Sequence, residues 1–181
     1  NTPWKVANES KRLAILPLAR LVFWLSGVRW GSGWKIYGLP IIQRHRLGAI
    51  RIGDRLQLRS TSRSNPLGPN RPVLLSVRSP KAAIIIGDDF GMSGGSIVAQ
   101  ERIAIGHRVA IGANTVICDS DFHPLNQELR RYDPDGGATA PITAPLAAPP
   151  ANIAATKPMP ITRAEADQIS WRTRGTCALS K

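Results

Sequence analysis

Only two cysteines, Cys118 and Cys177, occur in the 181 residues, and they lie far apart. That scarcity excludes a disulfide framework and any Cys-based zinc site. Acidic residues are almost missing from the first 81 positions, where Glu9 and Asp54 face 15 Lys and Arg. Residues 82–181 hold ten acids and nine bases, so the overall surplus of +12 resides in the first part of the chain. A long apolar run is lacking too. Leu21–Val28 is bracketed by Arg20 and Arg29 and falls far short of the ~20 residues that a membrane span needs. It carries no small-residue cleavage site and does not read as a signal peptide. Even so, 43% hydrophobic and 20% charged residues exclude a disordered chain, and the length suits one main domain with a real core.

Residues 8–26 predict a helix with leucines and aromatics on one face and Lys11, Arg12 and Arg20 on the other. Pro17 falls in its middle and is expected to break it or to begin it. Trp24, Trp30 and Trp34 follow closely. Two readings of this basic arm stand: its apolar face packs on the domain, or it lies on an anionic membrane surface.

What the middle of the chain does have is a repeat. Ile86-Gly87, Met92-Ser93 and Val98-Ala99 fall six apart, and after one extra residue so do Ile105-Gly106, Ile111-Gly112 and Ile117-Cys118. Ile52-Gly53 and Leu58 share the phase upstream, beyond a Pro/Ser/Arg-rich loop at 60–72. An aliphatic residue followed by a small one, every six residues, describes a hexapeptide parallel β-helix. Each repeat supplies a strand and a corner; the aliphatic side chain stacks inward, and glycine permits the tight turn.

The register then fails at an informative place. Six residues after Ile117 stands His123, where the stack calls for an aliphatic side chain. A loop must leave the wall here with a histidine at its base, and loops on rigid scaffolds are where function concentrates. Residues 141–160 contain six prolines, and no glycine occurs from Ala138 to Arg174. The sequence therefore divides into a basic amphipathic arm (1–34), a β-helix domain (35–137) and a Pro/Ala-rich irregular tail (138–181).

The run Ile86-Gly87-Asp88-Asp89-Phe90-Gly91-Met92-Ser93-Gly94-Gly95-Ser96-Ile97 resembles hexapeptide-repeat acyltransferases, as does Ile105 to Ile117. With Asp119-Ser120-Asp121-Phe122-His123-Pro124-Leu125 they resemble the maltose/galactoside O-acetyltransferase group, particularly its polysaccharide-biosynthesis branch. Lys35-Ile36-Tyr37-Gly38 and Ser64-Asn65-Pro66-Leu67-Gly68 are similar to that branch, and the likeness covers roughly residues 25–135. It implies a left-handed parallel β-helix assembled as a homotrimer, with acetyl-CoA along the seam between subunits and a sugar or polysaccharide-precursor hydroxyl near the histidine. The expected place is cytoplasmic, with the basic arm and basic face offering a peripheral contact at the inner face of the membrane. The family continues its repeats after the histidine loop. Here Ala155–Ile161 reads as the return to the coil, and nothing beyond Thr162 fits, the pattern expected of a truncated or frame-shifted copy.

His123 matches the family's catalytic base, which takes the acceptor proton as oxygen attacks the thioester directly. Asp121 and Asp119 are candidates to orient its ring, or else satisfy loop backbone. Ser93 either contacts the acceptor or merely fills a corner, and Asn114 reads as a corner residue. Cys118 sits at a small-residue position as packing. Cofactor-contacting residues remain unassigned. His107 raises a zinc reading, as in the gamma-class carbonic anhydrases, but Gly112 stands where a second histidine is needed and His45 is remote, so no metal site is expected. The cluster Arg44, Arg46, Arg51, Arg55, Arg59, Arg63 and Arg71 suits CoA phosphates, a membrane or a solvated face; nucleic acid is disfavoured, because no nucleic-acid fold accompanies it. The alternative to an enzyme is a non-catalytic or degenerate scaffold that binds an anionic partner through this basic face.

Overall fold

A six-residue repeat places one strand and one corner in each unit, so the chain turns after every strand. In the computed structural model, which describes residues 3–133 and 137–144, four successive rounds of three short strands follow one helix. The rounds are β1 (Lys35–Tyr37), β2 (Ile41–Arg44) and β3 (Ala49–Ile52); β4 (Gln57–Arg59), β5 (Leu74–Val77) and β6 (Ala83–Ile86); β7 (Gly91–Ser93), β8 (Ser96–Ala99) and β9 (Arg102–Ile105); and β10 (Ala110–Ile111), β11 (Val116–Cys118) and β12 (Ile142–Thr143). Each strand pairs in parallel with its counterpart one round away, which gives three four-stranded sheets, β1-β4-β7-β10, β2-β5-β8-β11 and β3-β6-β9-β12. This is a parallel β-helix-like arrangement with one N-terminal helix.

The register stacks like on like. Ile36, Leu58 and Met92 form one inward column, Ile42, Leu75 and Ile97 a second, and Ile50, Ile84 and Ile103 a third. Most of these side chains are fully buried, each worth roughly 1.5–3 kcal/mol of transfer free energy. Ile111, Ile117 and Ile142 extend the columns into the fourth round, where they are half-buried.

One repeat position departs from the six-residue phase. The residue opposite Ile117 is Ile97, not Val98, which pairs with Cys118 instead. Ile97 belongs to the packed core and Val98, though buried, does not. The cause is the corner before β8. Gly94 and Gly95 both adopt positive φ (61° and 83°) and carry the chain from Met92 to Ile97 in one residue fewer than it takes from Ile111 to Ile117 above. A Cβ on Gly95 would collide with the Thr115 carbonyl.

The helix α1 runs unbroken over Pro3–Leu25, with Pro17 inside it. Pro17 and Leu13, whose carbonyl loses its helical partner to the proline, both lie on the exposed side of the helix. Ala19 and Phe23 on the opposite side are buried against the first round. Phe23 meets Trp30 and Trp34 edge-on, with centroids 5.6 and 5.0 Å away, and Trp34 Nε1 donates to the Gly53 carbonyl at 2.8 Å. Arg44 fastens the end of the helix, donating from Nε to the Ser26 carbonyl at 2.7 Å and from Nη1 to Gly48 O at 2.8 Å. No helix among the described residues is long and apolar enough to cross a membrane.

The chain returns to the stack at β12, where Ile142 sits opposite Ile103, inside the stretch expected to be irregular tail. The return expected at 155–161, and residues 162–181 with Cys177, lie outside the described residues.

Candidate functional site

The histidine loop leaves after β11, at the corner between the second and third sheets, and comes back at β12. Both of its feet are fastened. Asp119 follows directly after Cys118, which pairs with Val98 in the second sheet, and is buried. Its Oδ1 accepts the Gln100 N–H at 2.6 Å, and its Oδ2 accepts those of Glu101 at 2.9 Å and Arg102 at 2.6 Å. Three charge-assisted bonds compensate the burial of this carboxylate. Above it, Ser120 and Thr139 form an antiparallel bridge, with Asp121 N donating to Ala138 O at 3.0 Å and Ala140 N to Asp119 O at 3.0 Å.

His123 stands just beyond this clamp, exposed, between half-buried Phe122 and buried Pro124. Phe122 takes a left-handed φ of 62°, and the Arg78 guanidinium lies 5.5 Å from its ring centroid. Gly137 packs so closely that an added Cβ would come 2.8 Å from the His123 backbone nitrogen. The site thus offers an accessible imidazole on a tether whose base is rigid.

The two candidate orienting carboxylates separate in role. Asp119 is committed to backbone, and the exposed Asp121 side chain makes no hydrogen bond to His123 among the described residues. Ser93 lies at a different corner, between the first and second sheets. It is buried, and its Oγ accepts from Asn65 Nδ2 at 2.8 Å. Asn114 sits one round above with φ 61°, its Oδ1 accepting the Asn70 N–H at 3.0 Å and its own N–H reaching Ser93 O at 3.0 Å. Asn65 and Asn70 therefore fold the 60–72 loop across this corner, bringing Ser93 and Asn114 together but not with His123. Sequence reasoning missed Arg78, and it allowed Asp119 a backbone role without placing its partners at Gln100, Glu101 and Arg102. The register that pairs Cys118 with Val98 is what brings Asp119 to the corner after β8.

His107 belongs to a third corner and is part of a ladder. Asp54 Oδ1 accepts Ser32 N–H at 2.8 Å, Asp88 Oδ1 accepts Asp54 N–H at 2.8 Å, and His107 Nδ1 accepts Asp88 N–H at 2.9 Å. Each rung satisfies the round below. Accepting at Nδ1 puts the ring proton on Nε2. No group of three His, Cys, Asp or Glu among the described residues is placed to hold a metal ion.

Several arginines of the basic cluster are held within the chain. Arg55 grips Asp89 with both ends of its guanidinium, at 2.6 and 2.9 Å, and this bond, with the charge of Arg55, holds the Asp89 carboxyl below its ordinary range. Arg59 lies 4.5 Å from the Tyr37 ring centroid and donates to Ser64 O. Arg44 ties the helix end, as described, while Arg46, Arg63 and Arg71 are exposed. Between α1 and the first round lies a cleft of about 420 Å³ lined by Asn8, Lys11, Arg12, Tyr37 and Thr61 among others. At its side the Tyr37 hydroxyl donates to Glu9, which also accepts from Arg12 Nε at 2.7 Å. The hydrogen bonds from Tyr37 and Arg12 hold Glu9 below the usual carboxylate range, while burial, then Glu9, pushes the Tyr37 phenol up.

No family model, curated protein or solved structure matches this chain.

Proposed function

We propose that this chain is an O-acetyltransferase that moves an acetyl group from acetyl-CoA to a sugar hydroxyl, with His123 as general base. The observation that carries the reading is the place of His123, an exposed imidazole on a loop fastened at both feet to the corner of a parallel stack. The segments that resemble the maltose/galactoside O-acetyltransferases, 86–97, 105–117 and 119–125, supply β7 and β10, parts of β8 and β11, and the foot of that loop.

In this reading the stack winds left-handed, and three copies assemble with acetyl-CoA in the seam between neighbours. The acceptor oxygen bonds to the acetyl carbon while His123 takes the hydroxyl proton. The tetrahedral adduct, its oxyanion held by a backbone N–H, collapses with loss of the C–S bond, and the proton passes from the imidazolium to the departing CoA thiolate. Histidine suits both transfers because imidazole gains and loses a proton near neutrality. Asp119 acts on His123 only as a positioning residue. Surface-polysaccharide precursors on the cytoplasmic side are the acceptor class that the resemblance favours.

The surplus of basic residues in the first 81 positions favours a second reading, a scaffold without catalysis that holds an anionic partner. Thiol release from acetyl-CoA, measured with a panel of sugar acceptors alongside the mass of the assembly, separates the two. Acceptor-dependent release by a trimer supports the enzyme. A chain that releases no thiol with any acceptor is the scaffold.

A further inference from the structure

Beyond any reaction at His123, we infer that the outward face of α1 docks the protein on an anionic phospholipid surface. A helix packed on a domain ordinarily turns polar residues to water. This one does not. Val6, Leu13, Pro17, Leu21 and Trp24 recur at intervals of three, four and seven on the side opposite buried Ala19 and Phe23, and Leu25 widens the stripe. Trp24 is 72% exposed, Leu25 68% and Val6 61%, in a 23-residue helix about 34 Å long at the standard rise. Exposed apolar surface of that extent is uncommon on a soluble face and marks an interaction site.

Charge selects the occupant. By helical geometry Lys11 and Arg20 stand on the two flanks of the stripe, and Lys5 is exposed near its start. Arg29 and Arg46 are exposed just past its C-terminal end, where Arg44 ties the 46–48 turn to Ser26. The acids of the first 81 residues oppose nothing to a negative surface: Glu9 is bound to Tyr37 and Arg12, and Asp54 accepts a backbone N–H at a corner. An apolar stripe with tryptophan, flanked by bases and free of acid, fits the boundary between anionic headgroups and acyl chains. A second copy fits less well, because pairing two such faces would bring like-charged flanks together.

The test is co-sedimentation of the full chain with vesicles of phosphatidylcholine, with and without phosphatidylglycerol. Binding is expected only with phosphatidylglycerol, weakening as salt rises, and falling at least about tenfold in a Leu21→Ser/Trp24→Ser/Leu25→Ser variant. These side chains are exposed, so the fold should survive the change. Wild-type protein that ignores anionic vesicles at low salt overturns the proposal without reference to any variant. So does binding undiminished in the triple variant. Assembly size measured by light scattering that drops only in the triple variant would assign the face to a second copy and overturn it as well.

Discussion

Asp119 and Arg102 are joined across one round of the stack, the buried carboxylate accepting the Arg102 N–H at 2.6 Å. The same group takes the N–H of Gln100 and Glu101, so one side chain both closes the corner after β8 and fixes the foot of the histidine loop.

Replacing Asp119 with Ala leaves three N–H groups without an acceptor. The expected cost is about 3 kcal/mol in urea unfolding, and Asp119→Asn, which keeps one acceptor oxygen, should lose roughly half of that. Hydrogen exchange at Gln100, Glu101 and Arg102 should quicken first. Unchanged stability in the alanine variant would mean that the carboxylate is dispensable and the loop is held elsewhere.

The register at β8 makes opposite predictions for neighbours in sequence. Ile97→Ala should cost about 3 kcal/mol, because it opens a cavity in a fully packed column. Val98→Ala should cost about 1 kcal/mol or less, because Val98 lies outside the core cluster. Denaturation midpoints of the two variants decide it, and a reversed order would restore the strict six-residue phase.

The Glu9–Tyr37 contact gives the docking of α1 a pH dependence on two sides. Glu9 is held below its ordinary value, so its contribution is present above the usual carboxylate range and is lost as pH falls through and below about 4.5. Tyr37 is pushed above its ordinary 10.0, so its contribution is present below that value and is lost as pH rises beyond it. Glu9→Gln should flatten the acid limb. It should leave most of the alkaline limb, since burial is the larger cause at Tyr37. Glu9 is half-exposed, so the acid limb should amount to about 0.5 kcal/mol. Unfolding midpoints followed across pH report both limbs; an acid limb of full size in Glu9→Gln would assign it to another carboxylate.

Much of the architecture was legible because stacking demands repetition. Ile52, Ile86 and Ile105 lie opposite one another in register, and the pattern that placed them is the same physical constraint that packs them. The slip at Val98 was hidden because two positive-φ glycines shorten a corner without changing the composition around it. Ile142–Thr143 was hidden because a two-residue strand flanked by prolines carries no period. The His123 loop announced itself as a broken register, but which N–H groups Asp119 takes appears only once the third and fourth rounds are aligned. The helix was read as having one apolar face. It has two, since the inner face packs on the domain while the outer remains exposed.

His123 is the proposed base for acetyl transfer. The most direct test of that role is the rate of thiol release from acetyl-CoA by wild type and His123→Ala at saturating sugar acceptor, with the stability of both proteins checked in parallel. A fall of at least about a hundredfold in kcat is expected, with unfolding unchanged, because the exposed ring contributes nothing to the packed core. Turnover in His123→Ala equal to that of wild type would contradict it.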